Sequence, residues 1–351
     1  MLIFDDRARG WRIFCLCNPR NLVPSVLASF LAFASPAMSE AQIHSGGGLQ
    51  ASEREKVIID TDIGLDIDDA FAVALALRSP QLDILGFSTA SGDTAARAKI
   101  IDRMLGESGY ENIPVAAGIP TSAPNGSLLP EGIIGPQRRY GENGHYARAS
   151  HPPAVNFILE QIHRFPGQVT LVTIGPLSNV GALMDRDMGT FRKLKRVVMV
   201  GGWIGPADLG LGQVGPGPEH NVSMDIRSSQ KLFTSGIPIY VIPFDSTINL
   251  TLDEVRRQAV FSAATPLTDA LTLLYNLFGG GTPVLFDAMA VAFVVDPQLC
   301  PVEPVHIIVD EKGITQVDTG QPNARICLHS DREGFLDYYM QRIIDIHRST
   351  Q

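Results

Sequence analysis

Short apolar runs rich in β-branched residues alternate along this chain with helical stretches, and this alternation limits the folds that the chain can adopt. The first apolar run, Val57–Ile59, is followed by the Ala- and Leu-rich segment Ala70–Leu77. Strands that alternate with helices in this way form parallel βαβ units. The predicted strands are Val57–Ile59, Leu82–Ser88, Val169–Ile174, Arg196–Val200 and Ile237–Ile242. We therefore predict an α/β fold with a doubly wound, mostly parallel central sheet that is flanked by helices.

The first forty residues contain the three parts of a secretory signal. Four arginines precede the apolar run Leu22–Ala34, and small residues follow it. This run is shorter than the roughly 20 apolar residues that a membrane-spanning helix needs. We expect residues 1–40 to be a leader, residues 41–55 a flexible lead-in and residues 56–351 a single domain. The alternative is an N-terminal helix packed on that domain. A cleaved leader predicts a periplasmic or secreted protein with no membrane contact after leader removal.

The acidic composition limits the partners that the protein can bind. The formal net charge is −9, and no run of Lys or Arg interrupts the sequence. A chain of this kind lacks the basic patch that nucleic-acid phosphates require, so we expect no nucleic-acid partner. A small, phosphate-free substrate remains compatible with this charge.

Four cysteines are too few for a disulfide scaffold in a chain of 351 residues. Cys15 and Cys17 fall in the expected leader and would be removed with it. Cys300 and Cys327 remain in the domain. In an oxidising compartment they could pair, and two buried free thiols are the alternative.

Five aspartates follow the first predicted strand within ten residues: Asp60, Asp62, Asp66, Asp68 and Asp69. Carboxylates this close repel one another and raise one another's pKa unless a cation neutralises them. Clustered aspartate oxygens are the ligands that calcium prefers. Gly64 allows a tight turn between strand and helix, and the helix dipole favours acidic residues at the helix start. N-capping or a solvated loop would explain one or two of these aspartates, but not five.

Two other cation motifs fit this segment poorly. An EF-hand loop that began at Asp60 would need Gly at its sixth position and Glu at its twelfth, where this chain has Leu65 and Phe71. A phosphotransferase of the haloacid-dehalogenase type also begins with a strand and Asp-x-Asp. In that class a Thr or Val should stand two residues after the second Asp, where this chain has Gly64.

Six segments, in order along the chain, resemble motifs of the inosine-uridine-type nucleoside hydrolases. The segment from Asp60 to Gly64, followed by Asp68-Asp69-Ala70, resembles the family's D-T-D-P-G-x-D-D-A. The other five are Ser91-Gly92-Asp93, Gly175–Asn179, Val197–Gly202, Glu219-His220-Asn221 and Phe286-Asp287-Ala288. The resemblance covers roughly residues 56–345. It implies a catalytic domain that hydrolyses the N-glycosidic bond of ribonucleosides to ribose and free base.

The resemblance also implies a role for particular residues. It implies a Ca²⁺ site formed by the carboxylates of Asp62, Asp69 and Asp287 and the backbone carbonyl of Ile174. Asp62 would also be the general base that takes a proton from water. The residues implied for ribose binding are Asp68, Glu219 and Asn221. Because family members commonly form dimers or tetramers, the resemblance also implies a homo-oligomer.

The first motif departs from the family pattern. Ile63 replaces the usual Pro, and Leu65–Ile67 makes the loop two residues longer. We align Asp68 and Asp69 with the family's acidic pair because Ala70 follows them directly. Asp66 is then a spare carboxylate that could accept hydrogen bonds behind the site.

The residues expected near the base depart further. Many members have a His before the last catalytic Asp, as the acid for the departing base, and this chain has Phe286 there. Tyr140 stands where the family often has the His of a His-Gly pair. Aromatic side chains cannot protonate a base but can stack on it, so we expect Tyr140 and Phe286 to contact the base by stacking. We expect Asp93, on the turn after the second strand, to contact the edge of the base or to act as the acid. Stacking would favour purine nucleosides. Packing in the core is the alternative for both aromatics, and His145 and His220 are alternative acids.

Two other functions remain open from the sequence. One is an exported nucleoside- or ribose-binding protein on the same fold without turnover, which the missing His favours. Asp62, the metal carboxylates and the Glu219–Asn221 pair favour hydrolysis instead. The other is a metal-dependent phosphohydrolase, which lacks a Lys or Arg constellation near the aspartates.

Overall fold

A computed structural model of the protein describes residues 54–121, 135–142, 144–209 and 212–344. The expected leader, with Cys15 and Cys17, and residues 41–53 of the lead-in lie outside the described residues. The described residues from Arg54 onward belong to one compact unit. In this part of the chain, every helix is too short or too polar to cross a membrane.

The described residues form the strands β1 Glu55–Thr61, β2 Leu82–Thr89, β3 Val115–Ala116, β4 Val169–Thr173, β5 Arg196–Val200, β6 Ala207–Asp208, β7 Gln213–Val214, β8 Ile239–Ile242, β9 Val302–Val309, β10 Thr315–Asp318 and β11 Ala324–Cys327. Nine of these described strands form the central sheet, in the order β10-β9-β11-β8-β5-β4-β1-β2-β3. The strands from β11 to β3 in this order are parallel, whereas β9 and β10 extend one edge in antiparallel pairing. Strands β6 and β7 form a separate two-stranded antiparallel sheet.

Helices cover both faces of the sheet. They are α1 Asp68–Leu77, α2 Thr94–Glu107, α3 Arg138–Glu142, α4 Ala154–Arg164, α5 Ser178–Phe191, α6 His220–Ser223, α7 Ile226–Phe233, α8 Phe244–Thr247, α9 Glu254–Ser262, α10 Pro266–Phe278, α11 Phe286–Val295 and α12 Arg332–Ile344, with a short 3₁₀ helix at Pro297–Leu299. The predicted doubly wound, mostly parallel α/β fold is confirmed. The five predicted strands and the helix predicted at Ala70–Leu77 are present, with ends that shift by at most two residues.

Two hydrophobic cores lie on opposite faces of the sheet, and the strands contribute to both. In β1, Val57 and Ile59 belong to one core and Ile58 to the other. In β5, Val198 and Val200 face the first core. Successive side chains of a strand point to opposite faces, so a strand buried on both sides needs an apolar residue at every position. This requirement explains the continuous apolar runs in the sequence.

Two unusually apolar helices meet on one face of the sheet. All ten residues of α1 are buried, and in α11 the eight residues from Asp287 to Val294 are buried. A helix that is apolar on every side belongs in the interior of a protein. These two helices pack against each other, and their many alanines allow a close approach. Their N-termini therefore lie next to each other at the carboxyl edge of the sheet.

The last quarter of the chain contains elements that the sequence did not predict. Strands β9 and β10 are antiparallel, and their exposed residues include Ile308 and Val317. The pairing of Cys300 with Cys327, left open by the sequence, is a disulfide with a Cα–Cα distance of 5.5 Å. Both cysteines are buried, and the bond joins the chain just beyond α11 to β11.

We predict that Cys300→Ala/Cys327→Ala lowers the free energy of unfolding by about 3 kcal/mol, because the disulfide closes a loop across a sequence separation of 27 residues. Denaturant unfolding of the wild type and the double variant measures this difference. The single variant Cys300→Ala serves as a control and should lose a similar amount. An unchanged denaturation midpoint in the double variant would contradict the prediction.

Candidate active site

The candidate site lies at the carboxyl edge of the parallel strands, where the strand order reverses between β1 and β4. In doubly wound sheets, ligands bind in the crevice beyond this reversal. Asp62 follows β1 and Ile174 follows β4. Asp68 and Asp287 come from the first turns of α1 and α11. The topology therefore brings together acidic residues that are more than 200 positions apart in the sequence.

Three aspartates form the centre of the site. Asp68, Asp69 and Asp287 each offer a carboxylate oxygen, and these oxygens lie within 4.8 Å of one another. Each of the three residues is at most 6% exposed. Burial, followed by repulsion from neighbouring aspartates, raises the pKa of each carboxyl well above its usual value. We refer to these three residues as the carboxylate trio.

The trio has the chemistry of a cation site. Its donors are all carboxylate oxygens, which suit a hard divalent cation such as calcium or magnesium. Thr61 Oγ1 donates to Asp69 Oδ1 over 2.5 Å and fixes the orientation of this carboxylate. The charge of Asp62 raises the pKa of all three trio members, so Asp62 lies within electrostatic reach of them. These residues therefore fit a bound cation, which would remove the repulsion among them.

Asp62 lies beside the trio, in a tightly packed setting. Gly175 backs it so closely that an added Cβ would lie 2.8 Å from Asp62 Oδ1. This contact explains the glycine in the G-P-L-S-N segment. His220 Nε2 lies 3.7 Å from Asp62 Oδ2, and Asp62 raises the pKa of this imidazole. Of the two histidines considered as acids, His220 is thus placed next to Asp62.

The loop between β1 and α1 turns at Gly64, which has a φ of 118°. This is a backbone conformation that side chains other than glycine rarely adopt. The spare Asp66 is exposed, and its Oδ1 accepts a hydrogen bond from the backbone N–H of Ile67 over 2.6 Å. Buried Gln137 donates through Nε2 to the carbonyl of Asp66 over 2.7 Å. Asp66 therefore helps to shape the loop, and the trio is formed without it.

The residues expected to bind ribose lie on the same edge of the sheet. Glu219 caps α6, and its Oε2 accepts from the backbone N–H of Gly202 over 2.9 Å. Asn221 is buried and donates through Nδ2 to the carbonyl of Val200 over 3.1 Å. The same Nδ2 lies 3.4 Å from the carbonyl of Ile174. Both side chains are thus held by backbone groups that follow β4 and β5.

The three residues expected to contact the base have different placements. Asp93 caps α2 and forms an ion pair with Arg138 over 3.3 Å. Tyr140 is 1% exposed, donates to Glu107 over 2.6 Å and packs beneath the guanidinium of Arg103. Because its ring is covered, the expectation that Tyr140 stacks on a base is corrected to a packing role. Half-buried Phe286 remains compatible with base contact.

Phe286 belongs to an aromatic row that the sequence did not indicate. Its ring stacks on Phe244 at 5.5 Å with an interplanar angle of 19°, and Phe244 contacts Trp203 at 5.0 Å. All three rings are half-buried. Trp203 follows β5 and Phe244 follows β8, so the rule that ligands bind beyond strand ends could have identified both.

A sequence profile of one family matches residues 57–337 of this chain, and its description is "Inosine-uridine preferring nucleoside hydrolase". Uridine nucleosidase 1 of Arabidopsis thaliana is 32% identical over 212 residues, which are 58% of this chain and 60% of that protein. Pyrimidine-specific ribonucleoside hydrolase RihA of Citrobacter koseri is 27% identical over 316 residues, which are 82% of this chain and 97% of that protein.

The fold is similar to that of a solved nucleoside hydrolase. The structure of a purine-preferring ribonucleoside hydrolase from Gardnerella vaginalis superimposes with a TM-score of 0.72 at 22% identity, over 83% of this chain and 98% of that one. The family profile covers most of the sequence, and it spans Asp62, the carboxylate trio and the Glu219–Asn221 segment. The chain therefore belongs to the inosine-uridine preferring nucleoside hydrolase family, whose members hydrolyse the N-glycosyl bonds of nucleosides.

Proposed function

We propose that this protein is a calcium-dependent ribonucleoside hydrolase that prefers purine nucleosides. The observation that carries the proposal is the carboxylate trio, whose buried carboxylates repel one another when ionised and would be neutralised by a bound cation. Family membership supports hydrolysis of ribonucleosides and the use of a metal ion. Calcium is the ion that we propose, because it accepts six to eight oxygen ligands in flexible geometry.

The proposed ligands are Asp62, Asp69, Asp287 and the backbone carbonyl of Ile174. Asp62 and Ile174 follow adjacent strands, and Asp69 and Asp287 lie in the first turns of two packed helices. A carboxylate oxygen of Asp68, the third trio member, lies within 4.8 Å of the carboxylate oxygens of Asp69 and Asp287. When bound, the cation supplies positive charge that orients ribose hydroxyls and lowers the pKa of a neighbouring water.

Protein groups carry the remaining steps in this proposal. Asp62 takes a proton from the attacking water as a general base. Asp68 and Glu219 accept hydrogen bonds from the ribose hydroxyls, and the amide of Asn221 bonds to them as a donor or an acceptor. These contacts hold the sugar in place. As the C–N bond breaks, positive charge develops on the sugar ring, and the surrounding carboxylates stabilise it electrostatically. The departing base receives a proton from water or a nearby acid, for which His220 is a candidate beside Asp62.

The aromatic row supports the proposed preference for purines. Phe286 adjoins the trio member Asp287, and Phe244 and Trp203 extend the apolar surface away from it. A two-ring base covers more of such a surface than a one-ring base does. The relatives named above carry uridine, pyrimidine and purine in their names, so family membership alone leaves the preference open.

Ribose release from inosine, adenosine, uridine and cytidine tests the proposed function. We expect a higher kcat/KM for the two purine nucleosides, inosine and adenosine, than for the two pyrimidine nucleosides. Asp287→Asn is the negative control, because it replaces one trio carboxylate by an uncharged amide of the same size. Binding of nucleosides without ribose release, at saturating calcium, would instead identify a nucleoside-binding protein.

We also propose that the protein acts outside the cytoplasm, as a periplasmic or secreted enzyme. The Cys300–Cys327 disulfide supports this location, because structural disulfides persist in oxidising compartments. A dimer or tetramer is the proposed assembly. Cell fractionation and light scattering of the purified protein test these two proposals separately.

We predict that the metal-free protein loses thermal stability between pH 5 and pH 8. Burial raises the pKa of Asp60 to about 6, and burial also raises the pKa values of the trio well above the unfolded value of 3.8. The folded state thus keeps protons that the unfolded chain has released, so this stability is present at low pH and is lost as pH rises through the folded pKa values.

Calcium should reverse this trend, because it binds the ionised carboxylates. Thermal unfolding at pH 5 and pH 8, with chelator or with saturating calcium, measures both effects. We expect calcium to raise the melting temperature more at pH 8. An equal calcium effect at both values, or none, would count against a cation on the trio.

Asp62→Asn should reduce kcat by about 10²–10⁴-fold, because it removes the proposed general base. At saturating calcium, the variant should still bind a ribose-like inhibitor. Asp66→Asn is the matched control, since it makes the same change on an exposed neighbour in the same loop, and its kcat should stay within a few-fold of wild type. A wild-type kcat in Asp62→Asn would assign the base to another residue.

Phe286→Ala should reduce kcat/KM for inosine about 2- to 10-fold more than for uridine, because a lost aromatic stack costs roughly 0.5–1.5 kcal/mol. Phe286→Leu keeps apolar bulk without an aromatic face and should show the same selective loss. Kinetics on both substrates at saturating calcium measure the difference. Equal losses on inosine and uridine would show that Phe286 only packs.

A further inference from the structure

Arg97 is fully buried at the start of a helix, which is a costly place for a positive charge. Its side chain is 0% exposed, and it lies in the first turn of α2, after the N-cap Asp93. Burial of a charge is unfavourable unless hydrogen bonds or opposite charges compensate it. The helix dipole adds to this cost, because it disfavours cations near the N-terminus. A charge in this position therefore needs specific partners.

The partners of Arg97 are backbone carbonyls of the loops that follow β1 and β2. Its Nη1 donates to the carbonyls of Asp62 and Ile63, the latter over 2.8 Å. Its Nε donates to the carbonyl of Ser91 over 2.8 Å. The planar guanidinium thus joins two loops through three hydrogen bonds in a fixed geometry. One of these loops carries Asp62 and leads into the trio.

The loop after β1 has no proline to fix its backbone beside Asp62. Residue 63 is Ile, whose φ is not fixed by a ring, and the next residue is Gly64 with a φ of 118°. The backbone N–H of Ile63 donates to Thr61 Oγ1 over 3.1 Å, and Thr61 donates in turn to Asp69. Arg97 therefore holds the carbonyl of Ile63, whose amide is tied to the trio through Thr61, and the carbonyl of Asp62 before it.

We propose that Arg97 is a positioning residue, which holds the backbone of Asp62 and Ile63 so that the Asp62 carboxylate stays in place beside the carboxylate trio. The inference rests on the proposed function, because Asp62 is a proposed ligand and general base there. Arg97 contacts the loop through its backbone and acts on the reaction only through Asp62.

The charge of Arg97 and its hydrogen bonds have opposite effects on cation binding. Burial raises the pKa of Asp69, and the charge of Arg97 partly offsets that rise, so this charge reaches the trio and would repel a bound cation. If Arg97 served only as a counter-charge, its removal would strengthen calcium binding. If it positions the loop, its removal weakens calcium binding despite the lost repulsion. The sign of the change separates the two roles.

Calorimetric titration with calcium, together with kcat and KM for inosine, tests the proposal in Arg97→Met and Arg97→Lys. We expect both variants to bind calcium about 10- to 100-fold more weakly than wild type, as is typical when an outer-shell partner is removed. Lys keeps the charge but loses the planar fork, so it should not rescue fully. At saturating calcium, kcat should fall more than KM changes.

Arg148→Met is the matched control, because Arg148 also contacts α2, through a 2.9 Å ion pair with buried Asp102. Its other side-chain partners are the carbonyls of Glu111 and Ile113 rather than those of the loop after β1. It should leave calcium affinity within twofold of wild type. Folding is checked by circular dichroism, and Arg97→Lys decides the outcome if Arg97→Met does not fold.

Equal or tighter calcium binding by a folded Arg97 variant, with unchanged kcat, would overturn the positioning role. Absence of calcium binding by the wild type would instead refute the proposed function.

Discussion

Repulsion among the buried carboxylates at the meeting point of α1 and α11 is the constraint on which the rest of the site depends. Three aspartates at most 6% exposed cannot all be ionised there without compensation. The fold nevertheless forces them together, because α1 and α11 are apolar on nearly every side and have no place except the interior. The buried carboxylates thus lower the free energy of unfolding of the metal-free chain, and a bound cation would offset this loss.

The groups around the trio hold it from several sides. Thr61 orients Asp69, Gly175 leaves room for Asp62, and Arg97 fixes the backbone beyond it. Glu219 and Asn221 are held by backbone groups after β4 and β5, on the edge where the strand order reverses. The aromatic row follows β5, β8 and the start of α11. Each group reaches the site because parallel strands end at one edge of the sheet.

The sequence predicted β1, β2, β4, β5 and β8, because strands buried on both faces leave continuous apolar runs. It did not predict the short parallel strands β3 and β11, nor β9 and β10, whose exposed residues break that pattern. The acidic residues were identified by motif, whereas Trp203, Phe244 and Arg97 were missed. Their roles depend on contacts between distant segments, which local patterns do not record. Tyr140 was expected at the base, with core packing as the alternative, and its ring packs under Arg103. The sequence alone does not distinguish between these two placements.

We propose that one cation on the buried carboxylates is needed for this chain to hydrolyse nucleosides. Calcium occupancy and ribose release from inosine can be measured in the same samples, as the metal-free protein is titrated with calcium. We expect about one ion per chain and ribose release that rises in proportion to occupancy. Full ribose release from protein that holds almost no metal would contradict this proposal.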